Sequence, residues 1–144
     1  MNTLDCLIYV STSKLTPSNS AEQIDDIVRI SDIRNRDAGI TGIITTQEGH
    51  FIQMLEGTPA AIDLLMLHLH FDSRHQDIVV VARERIANRD VVGWSMISTP
   101  QDATPHAELA RLLTSRPDTI QPWRDVLMQM LSEPPRPSMT VQAA

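Results

Sequence analysis

The segment 40–57, ITGIITTQEGHFIQMLEG, constrains the fold more than any other part of the sequence. The residues from Ile40 to Thr46 are mostly β-branched, the stretch 47–49 has turn chemistry, and an apolar pattern resumes at 51–55. Two apolar runs joined by a short turn that contains glycine predict a β-hairpin. The rest of the chain must then supply partners for both strands.

The second strand of this hairpin carries one amide, that of Gln53. Alternation with a period of two places Phe51, Gln53 and Leu55 on one face and Ile52 and Met54 on the other. An amide on a packed face needs hydrogen-bond partners, since a buried group left unpaired costs about 1–3 kcal/mol. Either the protein or a ligand must satisfy it.

Composition and charge exclude several classes of protein. With 144 residues, 42% of them hydrophobic, the chain fits one globular domain. A net charge of -6 disfavours binding along nucleic-acid phosphates. Cys6 is the only cysteine and lies in an apolar strand, which predicts an inert buried thiol in a reducing compartment. No apolar run approaches a membrane span of about 20 residues, so we expect a cytoplasmic protein.

The remaining patterns complete a βαββαββ order. Apolar runs predict strands, and 3.6-residue periodicity after capping signals predicts helices. The predicted elements outside the hairpin are a strand at 4–11, a helix at 20–37, a helix from Pro59 to near Asp72, a buried strand at 78–86 and a last strand at 94–98. This order predicts a ferredoxin-like α+β fold with two helices on one face of the sheet.

Two short helices follow the predicted sheet. Leu109, Leu112 and Leu113 mark the first, and Pro122 opens the second. Their apolar sides either cover the free face of the sheet or form a dimer seam. We therefore divide the chain into a domain at 1–98, a helical extension at 99–132 and a flexible tail at 133–144, where several prolines replace any packing pattern.

Several separated motifs carry a resemblance to a known family. Besides the hairpin they are Tyr9 in LIYVS, Asn35 in RNRDAGITG, the run FDSRH at 71–75 and the WSM run at 94–96. Together they cover residues 4–98 and resemble the BLUF family of flavin-binding blue-light sensors. The resemblance implies a photoreceptor that binds FAD noncovalently between its two helices. The chain departs from the family pattern at Val91, where an aromatic residue is frequent, and at 12–14, where many members carry an arginine.

Tyr9 and Gln53 are the candidate photochemical residues. They lie on strands that are adjacent in this topology, so a hydrogen bond between them is expected, and spacing alone favours an ordinary core contact. The resemblance implies instead that Tyr9 donates an electron and a proton to the excited flavin and that Gln53 lies between Tyr9 and the flavin. A glutamine suits this task because it offers both a donor and an acceptor without a change of charge.

The first predicted helix supplies candidate flavin contacts near its end. The sequence alone is equally consistent with a solvated helix terminus. The resemblance implies that Asn35 binds the polar edge of the flavin and that Arg34 lies beside the ring or the ribityl chain. Ser31, one helical turn earlier, is a further candidate contact.

Asp72, Arg74 and His75 follow the second predicted helix. A charged cluster there is most often a solvated loop. The resemblance implies that it lies near the ribityl and phosphate part of the cofactor, where Arg74 is the natural partner of an anion. His68 and His70 point apart on a helix and show no metal-ligand spacing with His75, so no metal site is expected.

Trp94 and Met96 share one face of the last predicted strand, where ordinary core packing is the simplest interpretation. The resemblance implies that one of the two packs near Gln53 and that their exchange relays a signal. Because the residues after 98 are too few for a catalytic domain, we expect a protein that is not an enzyme, forms a homodimer or larger homo-oligomer, and signals to a transcriptional regulator or signalling enzyme.

Two other functions remain open from the sequence. A light-independent ferredoxin-like interaction module is the strongest alternative, because fold does not determine function. A small acylphosphatase-like enzyme would use Arg34 and Asn35 at a phosphate site, although no glycine-rich phosphate loop follows the first strand. An RNA-recognition domain of the same topology is disfavoured because it needs basic strands with stacking aromatic residues.

Overall fold

The computed structural model describes residues 3–13, 20–71, 75–92, 97–98 and 106–132. Within these residues one sheet has the strand order β4-β1-β3-β2-β5, antiparallel except for β5, which runs parallel to β2. This topology confirms the predicted ferredoxin-like α+β fold. The elements are β1 (Leu4–Ser13), α1 (Ser20–Ala38), β2 (Thr41–Gln47), β3 (His50–Gly57), α2 (Pro59–His70), β4 (His75–Ile86), β5 (Ile97–Ser98), α3 (Ala107–Ser115) and α4 (Ile120–Ser132).

The predicted hairpin is formed by β2 and β3. Its two connecting residues, Glu48 and Gly49, have φ values of 50° and 79°. Positive φ at both central positions matches the right-handed twist of the strands and favours glycine. The turn sets the register in which Ile44 lies opposite Gln53.

The sheet separates two hydrophobic clusters, as the alternation predicts. Tyr9 and Phe51 pack on the side that carries α1 and α2, while Ile52 and Met54 pack on the side that carries α3 and α4. Trp123 of α4 is fully buried against this second side. The apolar faces of α3 and α4 therefore cover the sheet, the first of the two arrangements left open by the sequence.

The helix boundaries follow from local chemistry. Gly39, with φ of 72°, ends α1, and the Thr58 side chain accepts a hydrogen bond from the Ala61 N–H at 3.3 Å at the start of α2. The helix α2 ends at His70 with Phe71 as its cap, within two residues of the expected end near Asp72. Likewise α4 begins at Ile120, before Pro122; a proline in the first turn removes no intrahelical bond.

The strand β4 differs from the prediction of a buried strand. It lies at the edge of the sheet, and Val79 and Val80 are 45% and 47% exposed. Its register against β1 shifts between Ile8 and Tyr9 and again between Val10 and Thr12. A run of β-branched residues indicates a strand. It does not show whether neighbouring strands pair with that strand on both sides.

The last strand is described only at Ile97–Ser98, which pairs with Ile43 and Ile44. The predicted start of this strand at Trp94 lies outside the described residues. The division at residues 98 and 132 stays a prediction. Among the helices of the described ranges, none combines the length and the apolar character needed to cross a membrane.

Candidate functional site

Tyr9 and Gln53 form the centre of the site. They lie directly opposite each other in the β1–β3 ladder, and both side chains are buried. The Tyr9 hydroxyl donates a hydrogen bond to Gln53 Oε1. The hydrogen bond predicted between the two adjacent strands is therefore present.

A cleft opens over this pair between α1 and α2. The space between the two helices, including the part that is open to solvent, is about 440 Å³. Small-molecule sites are typically concave clefts with apolar walls and a few polar groups. Its walls are Tyr9, Ile27, Ser31, Arg34, Asn35, Ile44, Phe51, Gln53, Leu65 and Leu69.

The candidate contacts on α1 all line this cleft. Arg34 and Asn35 follow Ser31 by three and four residues, so both lie on the same side of the helix as Ser31. Asn35 is only 1% exposed, whereas Arg34 is exposed and Ser31 is half-buried. The Asn35 carbonyl accepts the Ile40 N–H at 2.8 Å, which fixes the end of the helix beside the hairpin.

The apolar walls were not identified as site residues from the sequence. Ile27, Leu65 and Leu69 belong to the predicted helical stripes, and Phe51 and Ile44 belong to the predicted strands. Their periodicity predicted burial, but it did not show that these side chains border a cavity. That information depends on how far α1 and α2 stand apart on the sheet.

The second predicted cluster lies largely outside the described residues, as do the two candidate relay residues. Asp72, Arg74, Trp94 and Met96 are not among them. The backbone of His75 opens β4 opposite Ser13. In the part of the chain that is described, no group of three or more His, Cys, Asp and Glu residues is arranged to hold a metal ion.

The donor set of the cleft fits a flat heteroaromatic ring. Aliphatic side chains and Phe51 supply apolar walls, while Tyr9, Gln53 and Asn35 supply hydroxyl and amide groups. A ring with an apolar face and a polar edge needs this combination, because its polar atoms lose water on binding and must be paired. The residues present are therefore compatible with a flavin.

A different polar cluster, which the sequence reading missed, lies on the opposite face of β3. Glu56 is 0% exposed. Its Oε1 accepts hydrogen bonds from Thr41 Oγ1 and the Val91 N–H, both at 3.0 Å, and its Oε2 accepts the Asp90 N–H at 2.7 Å. The Arg89 guanidinium donates to the Glu56 carbonyl at 2.8 Å. The sequence feature that could have indicated this cluster is an acidic residue at a core-facing position of an apolar strand.

Charged side chains attach α4 to the rest of this face. Arg124 forms an ion pair with Asp90 at 3.0 Å, and the Ile120 N–H donates to Glu84 Oε2 of β4 at 2.9 Å. Cys6 lies beneath them opposite Glu56. Burial, reinforced by the Glu56 charge, raises the pKa of its thiol to about 12. The prediction of a buried thiol is confirmed, and its high pKa makes it unreactive.

Known proteins resemble this chain in sequence and in structure. The family model described as "BLUF: Sensors of blue-light using FAD" matches residues 4–97. The photoactivated adenylate cyclase subunit beta of Euglena gracilis is 28% identical over 108 residues, which are 74% of this chain. The chain spans only 13% of that relative's length.

Two solved structures illustrate the range of architectures among the relatives. BlrB, described as a BLUF protein in its dark state, is 31% identical, with a TM-score of 0.68 over 90% of this chain and 94% of that one. Klebsiella pneumoniae BlrP1 with FMN and cyclic diGMP is 34% identical, with a TM-score of 0.59 over 66% of this chain and 25% of BlrP1. The same fold thus occurs as a nearly complete chain and as a minor part of a longer one.

Proposed function

Because the chain belongs to the BLUF family of blue-light-sensing flavin domains, we propose that it binds FAD in the α1–α2 cleft and responds to light through Tyr9 and Gln53. The observation that carries this proposal is the buried hydrogen bond between these two side chains at the wall of the cleft. A bound flavin supplies absorption of blue light and an excited state that accepts an electron.

Tyr9 is the electron and proton donor in this proposal, and Gln53 is the group that rearranges. In the described arrangement the Gln53 oxygen faces the Tyr9 hydroxyl. Rotation or tautomerisation of the amide changes which hydrogen-bonding atom it presents to the cleft without changing any charge. With a flavin bound, a stronger hydrogen bond from Gln53 to its polar edge would shift its absorption to the red until the dark arrangement returned.

Asn35 holds the polar edge of the flavin, and Ser31 and Arg34 contact the ring or the ribityl chain. The burial of Asn35 and the position of all three residues on one side of the cleft support these roles. We propose FAD rather than FMN because the family is described by its use of FAD. In this proposal Arg74 pairs with the phosphates.

The output passes to another protein rather than through catalysis by this chain. Leu64, Leu67 and Phe71 lie one helical turn apart on the outer side of α2 and stay exposed, and clustered exposed apolar residues are typical of protein contacts. We propose a cytoplasmic homodimer or larger homo-oligomer with a transcriptional regulator or signalling enzyme as its client.

Absorption spectra of the purified protein in the dark and under blue light test this function. We expect a flavin spectrum that shifts to the red in the light and reverts in darkness. Tyr9→Phe and Gln53→Leu should keep the flavin and lose the shift, while Arg36→Gln, which removes an exposed ion pair with Asp32, should keep both.

Two outcomes would contradict the proposal. Bound flavin that bleaches in the light would indicate redox or adduct chemistry instead of a rearrangement of Gln53. Failure to bind flavin after reconstitution would favour a light-independent interaction module, or an acylphosphatase-like enzyme if the protein hydrolysed acyl phosphates.

A further inference from the structure

Gln53 and Glu56 lie three residues apart on β3 and on opposite faces of the sheet. Gln53 belongs to the cleft, whereas Glu56 faces the side that α3 and α4 cover. A rigid, fully paired strand therefore carries both the proposed photochemical amide and the buried carboxylate. Any displacement of β3 that accompanies rearrangement of Gln53 therefore also moves Glu56.

Glu56 couples the segment 90–91 to β3. Its carboxylate accepts the backbone N–H groups of Asp90 and Val91 at 2.7 and 3.0 Å. Breaking these bonds would leave a buried charge without its donors, which is far more costly than moving the segment along with the strand. Arg89 adds bonds to the Glu56 carbonyl and, at 2.6 Å, to the Gly39 carbonyl.

Asp90 is held from both sides. Its backbone is bound by Glu56, and its carboxylate pairs with Arg124 of α4 at 3.0 Å. The Asp90 and Arg124 side chains are about one-third and one-quarter exposed, so this ion pair can lengthen or re-form at small cost. The chain of contacts that leads from β3 through Glu56 and Asp90 thus reaches α4 through an ion pair whose length can change.

A separate contact attaches the first turn of α4 to the edge strand. The Ile120 N–H donates to Glu84 of β4, and β4 is separated from β3 by β1. Loss of the Glu84 contact should loosen α4 without interrupting the connection to β3. Glu84 therefore offers a matched comparison for Arg124.

We propose that Glu56, Asp90 and Arg124 are positioning residues that relay the state of Gln53 to α4. The proposal rests on the photochemical function above and extends it, because it assigns the path to side chains of β3, the 90–91 segment and α4. Glu56 holds the segment to the strand, and the Asp90–Arg124 pair transfers its displacement to the helix.

Hydrogen–deuterium exchange of the full chain, in darkness and under continuous blue light, tests the relay. In the parent protein with bound flavin, the amides of α4 should exchange at rates that differ about fivefold between the two conditions, the lower end of typical allosteric coupling. Arg124→Gln should abolish this difference, and Arg124→Lys should restore most of it by keeping the charge. Glu84→Ala, which removes the acceptor of the Ile120 N–H, should raise exchange in both states and preserve the difference.

Absorption spectra of the same samples separate the relay from the photochemistry. A red shift that survives in Arg124→Gln, together with loss of the light–dark difference in α4, supports the relay. A full difference in Arg124→Gln, or no difference in a parent that shows the red shift, overturns it and leaves the photoreceptor function intact. Absence of the red shift in the parent overturns both.

Glu56→Gln is the most direct variant, but loss of a buried charge can prevent folding. Asp90→Asn therefore provides the second test, since it keeps the backbone N–H bound by Glu56 and removes only the charge that Arg124 contacts. We expect it to reproduce Arg124→Gln. A light–dark difference in α4 that is unchanged in Asp90→Asn would exclude this ion pair from the path.

Discussion

Gln53 and Glu56 are both buried polar residues of β3, yet the two faces of the sheet hold them in different ways. Gln53 is neutral and bonds to the side chain of Tyr9 beside a cleft. Glu56 is an acid held by Thr41 and by backbone N–H groups. A neutral amide can exchange donor and acceptor, whereas a buried carboxylate cannot lose its donors cheaply. The comparison separates a group able to rearrange from one that fixes its surroundings.

The two faces of the sheet also differ in how closely helices pack against them. On one face α1 and α2 border a cleft that is partly open to solvent. On the other, Trp123 and Leu127 of α4 are fully buried against the sheet. One face therefore leaves space for a ligand, and the other contributes a close-packed core.

The largest expected effect tests the close-packed face. Trp123→Ala should lower the free energy of unfolding by about 3–5 kcal/mol, because it removes a large buried ring and the hydrogen bond from its indole N–H to the Pro117 carbonyl. Urea denaturation measures this loss. Phe71→Ala, at an aromatic residue that is 83% exposed, should change stability by less than about 0.5 kcal/mol. Equal losses would mean that Trp123 does not anchor the core.

The next effect separates the two polar residues of β3. Glu56→Gln should cost about 1.5–3 kcal/mol, because it replaces a carboxylate oxygen with an amide group that faces a donor. Gln53→Leu should cost less and should abolish the light-induced red shift, which Glu56→Gln should retain. Urea denaturation and difference spectra measure the two properties. Loss of the red shift in Glu56→Gln would show that the faces are not functionally distinct.

A smaller effect concerns the polar edge of the cleft. Asn35→Ala should weaken flavin binding about tenfold, equivalent to about 1.4 kcal/mol and typical of one lost hydrogen bond. Titration of flavin into protein depleted of it gives the affinity. Arg36→Gln, at the adjacent exposed position, is the matched control. Unchanged affinity in Asn35→Ala would remove Asn35 from the binding site.

A last effect is a change of stability with pH that arises beside Glu56. The folded Cys6 thiol keeps its proton up to a pKa of about 12, whereas the unfolded thiol loses it near its ordinary pKa of 9.0. Between these values unfolding releases a proton, so the free energy of unfolding falls as pH rises, by up to about 1.4 kcal/mol per unit.

Urea denaturation at several pH values between 9 and 11 measures this slope. In Cys6→Ala the decrease in the free energy of unfolding per pH unit should be smaller by about 1 kcal/mol, because this thiol no longer contributes. Other groups titrate in the same range, so the difference between the two proteins is the quantity to compare. Identical slopes would show that the thiol ionises equally in both states.

The elements governed by local patterns were predictable from the sequence. Period-two alternation placed Phe51 and Gln53 on one face, and the topology brought Tyr9 beside Gln53. The role of Glu56 was not predictable, since it depends on where the segment 90–91 crosses the sheet. The exposure of Val80 was also missed, because strand order and register shifts are tertiary properties. For Ser31, Arg34 and Asn35, the structure adds a shared cleft to roles that only the resemblance had suggested.

The edge position of β4 has a consequence for behaviour in crowded solution. A straight edge strand of 12 residues is a template on which another chain can add a strand and start a fibre. Here the register shifts bend the edge, and Asp77 adopts a φ of 54°, while Arg83 and Arg85 place charges along it. An incoming strand would have to follow two irregularities and bury or displace these charges. We therefore expect the bulged edge to disfavour strand addition and aggregation at high concentration.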